Sequence, residues 1–206
     1  MAGKRRRVRF GIVALVTAAC AGAGLAAVAN SGGEPAKPSG ADPRPVLARG
    51  SASGAAGSNA RFAFLARQNS NSCGLEPATL ERMSNRMRLR GSCCFPMDLA
   101  AYKSQVRGLW AYRRFAVIPH DPYDIPVSLA KRMLAYDRTI RLSPEQSRVY
   151  SRAIRISRLG GPCCCHCWRW EAFRGLSEDL IVYHGWRAAT VGRVIDLVEG
   201  CGGPAD

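Results

Sequence analysis

"GPCCCHCWRW", residues 161–170, places Cys163, Cys164, Cys165, His166 and Cys167 side by side, directly before Trp168 and Trp170. Gly160, Gly161 and Pro162 break whatever precedes this run. The apolar spacing after it, Trp168, Ala172, Leu176, Leu180 and Tyr183, predicts a helix from about Cys165 to Tyr183. The thiols therefore gather where a helix begins. "GW" at 185–186 turns the chain, and Val191, Val194, Ile195 and Val198 mark the inward face of a last helix over 188–199, closed by Gly200. So short a turn makes the two helices an antiparallel pair, which returns Cys201 to the neighbourhood of Cys163–Cys167.

Upstream segments repeat the helical period. Leu80, Met83 and Met87 define one face over 76–89. Leu99, Tyr102, Val106, Leu109 and Trp110 define another over 96–115, with Asp98 placed to cap it. Pro119, Pro122 and Pro126 force an extended connector, and a helix over 126–136 follows. Ser143-Pro144-Glu145-Gln146 is a start signal for a helix to about Ser157, with Val149, Ala153 and Ile156 inward. No segment alternates with period two over a useful length. The expectation is an all-α fold: a compact bundle of about six helices over 61–206, with its cysteines at helix ends. Cys93 and Cys94, in the short link before Pro96, are expected to reach the same end as the main cluster.

The chain has 206 residues, enough for one such core plus a tail. It opens with Lys4, Arg5, Arg6, Arg7 and Arg9, then an apolar run from Phe10 to Ala29 that ends in Ala27-Val28-Ala29. A basic flank, an apolar stretch and a small-residue exit predict export, with residues 1–29 as a cleaved signal peptide or an uncleaved membrane anchor. Residues 30–60, rich in Gly, Ser, Pro and Ala, cannot bury enough surface to offset their ordering entropy and read as a disordered linker. Without the leader's five basic residues the net charge falls from +15 to +10. Such a charge suits an anionic membrane or cell-envelope surface, and no nucleic-acid motif accompanies it.

Beyond the leader there are eight cysteines, at 73, 93, 94, 163, 164, 165, 167 and 201. An even count in an exported domain is the signature of a disulfide framework, although neighbours such as Cys93 and Cys94 rarely bond each other. Thiolates at i, i+1, i+2 and i+4 (163, 164, 165 and 167) entering a helix, joined by others through a hairpin, suit a soft metal: Zn(II), Cu(I) or an iron–sulfur cluster. The candidate ligands are Cys93, Cys94, Cys163, Cys164, Cys165, Cys167 and Cys201, with His166 either a ligand or a group that tunes thiol acidity. A third reading is thiol–disulfide exchange through the C-x-x-C at 164–167, which lacks the preceding strand that such motifs usually follow.

Of the tryptophans, one is expected in the core and the other over the cluster. His120, Asp121 and Asp124 have hard-metal ligand types, but a proline-fixed loop tends to use them on its own backbone. Asp196 and Glu199 near Cys201 read as a solvated face, and His184 as a helix-end residue. No Ser/His/Asp set, phosphate loop or spaced carboxylate pair is present, so any catalysis would belong to the cysteines.

Together "GSCCFPMDL", "PHDPYDIPVSLAKRML", "GPCCCHCWRWEAF" and "DLVEGCGG" resemble an uncharacterised family of small exported helical proteins of bacteria and archaea. The resemblance spans about residues 73–203. It implies a folded unit beginning near Cys73 in which all eight cysteines serve one design, and it implies no activity, cofactor or catalytic residue.

Overall fold

A computed structural model describes residues 54–203; the leader and the linker as far as residue 53 lie outside the described residues. The order is α1 (Asn59–Leu65), α2 (Pro77–Arg82), β1 (Arg88–Arg90), α3 (Leu99–Leu109), β2 (Asp124–Pro126), α4 (Val127–Thr139), α5 (Pro144–Ile156), α6 (Trp168–Val182) and α7 (Ala188–Val198). The fold is all-α, with one two-stranded sheet among the described residues.

α6 is the axis of the core. Trp168, Ala172, Phe173, Leu176, Leu180 and Ile181 are all buried, and its polar residues Arg169, Ser177, Glu178 and Asp179 are buried as well. α4 crosses it closely because Gly175 has no side chain: a Cβ there would stand 2.1 Å from the Met133 carbonyl oxygen. Arg174 on α6 clasps the Asp137 carboxylate of α4 at the same crossing, with Nη2 2.7 Å from Oδ2. α7 returns antiparallel after the turn, where the Trp186 amide donates to the Leu180 carbonyl at 3.1 Å. It packs against α5 and α3.

The helix starts follow local chemistry. Ser143 Oγ accepts from the Gln146 amide and Gln146 Oε1 accepts from the Ser143 amide, with Pro144 in the first turn. Asp98 caps α3 by accepting from the Ala101 amide at 2.8 Å. A seventh helix, α1, precedes the six expected; its N-cap is Ser58, and Leu65 packs with Tyr102 and Tyr123 in a small satellite core.

Several expectations are corrected. The helix over 76–89 ends at Arg82, because Met83 turns extended and Ser84–Met87 closes a turn. Residues 88–90 instead form β1, which pairs antiparallel with β2 in the register Arg88–Pro126, Leu89–Ile125 and Arg90–Asp124. Each strand is only three residues, too short to show alternation in sequence. Met87, Trp110, Ile156 and Tyr183, assigned to inward faces, are exposed. Each lies at or past a helix end, where the neighbouring element no longer covers the stripe. α6 starts at Trp168, not Cys165, so the thiols of 163–167 lie in an irregular loop.

Candidate metal centre

Four loops meet at one end of the molecule: 70–75, 91–97, 158–167 and 199–203. Main-chain hydrogen bonds lace them together. The Cys73 amide donates to the Cys93 carbonyl at 3.2 Å, and the Cys93 amide donates to the Gly200 carbonyl at 2.9 Å. The Cys94 and Phe95 amides both donate to the Cys201 carbonyl, at 3.2 and 2.7 Å. The Gly203 amide donates to the Pro96 carbonyl at 2.9 Å, closing a parallel bridge between Met97 and Gly203. Gly202 makes this seam possible: its φ is +80°, and a Cβ would sit 2.1 Å from the Phe95 carbonyl oxygen.

Asn71 is the side chain that joins the remaining loops, and sequence offered no signal for it inside the polar run "NSNS". Fully buried, it donates from Nδ2 to the Gly91 carbonyl at 2.8 Å. Its Oδ1 accepts from Trp168 Nε1 and Arg169 Nε, each at 3.2 Å. The Trp168 amide donates to the Leu75 carbonyl at 3.3 Å, which fixes the start of α6 to the Cys73 loop.

All eight cysteines beyond the leader converge here as free thiols. Sulfur separations run from 2.7 Å for Cys73–Cys94 and 2.8 Å for Cys164–Cys201 to 3.6 Å for Cys163–Cys201 and 3.9 Å for Cys94–Cys165. All exceed the roughly 2.05 Å of a disulfide bond. Four thiolates sharing one tetrahedral ion at metal–sulfur distances of about 2.3 Å stand about 3.8 Å apart. The loops thus bring the sulfurs as close as a shared ion requires.

Three sets of four have all ligand atoms within 4.8 Å of one another: Cys73, Cys93, Cys94 and Cys165; Cys93, Cys163, Cys164 and Cys165; and Cys93, Cys94, Cys164 and Cys201. Cys167, the N-cap of α6, is hydrogen-bonded to Cys163, Cys93 and Cys165. Cys73, absent from the expected ligands, is in the first set; its loop carries no spacing that links it to the others. His166 is in none of the sets. It is exposed, and its ring stacks on Trp170 with centroids 4.1 Å apart. Trp168 is the core tryptophan, whereas Trp170 lies over His166 and the Gly161 backbone.

The thiols share their protons unequally. Cys201 is held well below the usual thiol range, chiefly by its hydrogen bond with Cys163, and Cys163 is lowered chiefly by Cys167. Cys93 is pushed up chiefly by its hydrogen bonds with Cys163 and Cys167, while burial raises Cys94, Cys164 and Cys165. Access is graded too. Cys73 and Cys164 are exposed, whereas Cys163, Cys167 and Cys201 are buried.

The neighbouring carboxylates have other partners. Glu199, expected on a solvated face, is buried: it accepts from the Cys201 amide at 3.0 Å and from Gln105 Nε2 at 2.9 Å. Asp196 caps the loop by accepting from the Arg158 amide at 2.8 Å. Asp121 accepts from the Tyr102 hydroxyl and the Tyr123 amide. Asp124 is clasped by Arg61, Arg88 and Arg90, and His120 Nε2 lies 3.2 Å from the Arg113 carbonyl. This trio serves the loop and the sheet. His184 lies 3.6 Å from Asp179 at the end of α6.

No family model, curated protein or solved structure matches the chain.

Proposed function

We propose that this protein binds a soft metal through cysteine thiolates at the four-loop end, for metal sensing, sequestration or electron transfer. The observation that carries the reading is the convergence of thiols from positions 73 to 201 into sets of four within 4.8 Å. Sulfur-only ligation favours Zn(II), Cu(I) or iron–sulfur centres. Of these, single ions of Zn(II) or Cu(I) suit the spacing better. Thiolates on a cubane cluster each cap a different iron and stand farther apart than ligands sharing one ion.

Export belongs to the same proposal, as does membership of the helical family the sequence resembles. The basic flank and apolar run of residues 1–29 support export to the cell envelope, cleaved or tethered, where the positive charge suits an anionic surface. Among the described residues no helix is long and apolar enough to cross a membrane; the candidate leader lies outside them.

The test is metal and thiol accounting on the full chain. Elemental analysis with mass spectrometry is expected to find at least one soft ion per chain and thiols that alkylate only after chelation. Eight oxidised cysteines without metal would replace this reading with a disulfide staple, for which Cys73–Cys94 and Cys164–Cys201 are the nearest pairs. A single reactive pair within 164–167, without metal, would favour thiol–disulfide exchange.

A further inference from the structure

The three four-thiol sets are not independent. Cys93 belongs to all three, and Cys94, Cys164 and Cys165 to two each. One tetrahedral ion would engage four sulfurs and leave the other four as bare thiols packed against it. Occupying a second set requires sulfurs that bind two ions at once, a role open to a thiolate because it keeps further lone pairs after the first bond. Cys93 is placed for that role: its sulfur lies 3.3 Å from that of Cys94 and within 4.8 Å of those of Cys73, Cys163, Cys164, Cys165 and Cys201.

A second observation concerns charge. Arg169, in the "CWRW" run, is fully buried. Its guanidinium donates to the Pro122 carbonyl at 2.7 Å, the Asn71 Oδ1 at 3.2 Å and the Val198 carbonyl at 3.3 Å, all of them neutral acceptors. No described carboxylate comes within 4.0 Å of it. A buried cation without an anion costs several kcal/mol. Its guanidinium lies against the backbone next to Cys201: a Cβ at Gly200 would stand 2.5 Å from Arg169 Nη2. A thiolate cluster whose sulfurs outnumber the charge of its ions supplies the missing negative charge.

Resting on the metal-binding reading above, we propose that the site holds two or more soft d10 ions, Cu(I) or Zn(II), in one thiolate-bridged cluster. Cys93 is the shared bridge and Arg169 the buried counter-cation. Loading breaks S–H bonds and forms metal–sulfur bonds; the displaced protons leave to solvent, and no electron is transferred.

The experiment is an anaerobic titration of the reduced full chain with Cu(I) or, in a second arm, Zn(II), read by native mass spectrometry. We expect two or more ions per chain, with the singly loaded form scarcer than independent sites would give. Cys93→Ser should lower the stoichiometry by at least one ion, whereas Cys73→Ser, which removes a member of only one set, should leave a multi-ion form. Arg169→Gln should weaken loading about tenfold and Arg169→Lys much less, with circular dichroism reporting the fold. A wild-type chain that stops at one ion overturns the bridged cluster and leaves the simpler metal site standing. A chain that takes no ion overturns both.

Discussion

Glu178 sits on α6 with Oε2 buried and without a hydrogen-bond partner. Burial raises its pKa to about 7, with the nearby Asp137 charge adding to the effect against Arg174 and Arg141. The folded chain therefore holds this proton more tightly than the unfolded chain, whose glutamate titrates near 4.5. Stability is favoured below that value and declines as pH rises toward about 7, where the folded carboxyl ionises. Glu178→Gln should raise stability by about 1–3 kcal/mol at pH 8 and by almost nothing at pH 4, measured by urea melts at both pH values. A gain equal at both would refer the effect to packing instead of charge.

At the scale of elements, caps and faces act separately. Ser143→Ala removes one half of the reciprocal cap of α5 and should cost about 1 kcal/mol in a thermal melt. It should leave metal content unchanged, since α5 contributes no thiol. Such caps were legible in sequence because Ser143-Pro144-x-Gln146 and Asp98 encode their own hydrogen bonds. The hairpin of α6 and α7 was legible too, and with it the approach of Cys201 to Cys163 and Cys164. The two three-residue strands were not, because tertiary contact alone selects them: Leu89 and Ile125 fill the core while Arg88 and Arg90 reach Asp124. Spacing was silent on Cys73, which a main-chain bond to the distant Cys93 loop holds in place, and only the resemblance, with one design for all eight cysteines, included it. Nor could periodicity say that Tyr183 or Ile156 lay beyond the cover of a neighbouring helix.

For the whole molecule, the centre joins loops that share no secondary structure apart from the isolated Met97–Gly203 bridge. Under the proposed metal binding, an ion in the first set would cross-link the 70–75, 91–97 and 158–167 segments, and one in the third would link 91–97, 158–167 and 199–203. If ions bind only the folded chain, free metal at about 1,000 times Kd adds about 4 kcal/mol. For a domain of this size that is roughly a 10 °C rise in Tm. Differential scanning calorimetry with and without a thiol-compatible chelator should show that difference. An unchanged Tm on metal removal would mean that the loops are held by their main-chain bonds alone.

The scatter of the ligands along the chain also has a consequence in time. Cys73 and Cys165 touch across 92 positions, and Cys164 waits for Cys201 another 37 positions on. No nascent fragment lacking residue 201 can assemble the third set of four. Contacts this distant in sequence form late, after the entropy of closing long loops has been met by packing elsewhere. A chain folded only as far as residue 167 can bring together the first two sets but not the third. Under the proposed metal binding, an ion in the third set would report the compartment in which the stretch through residue 201 folded.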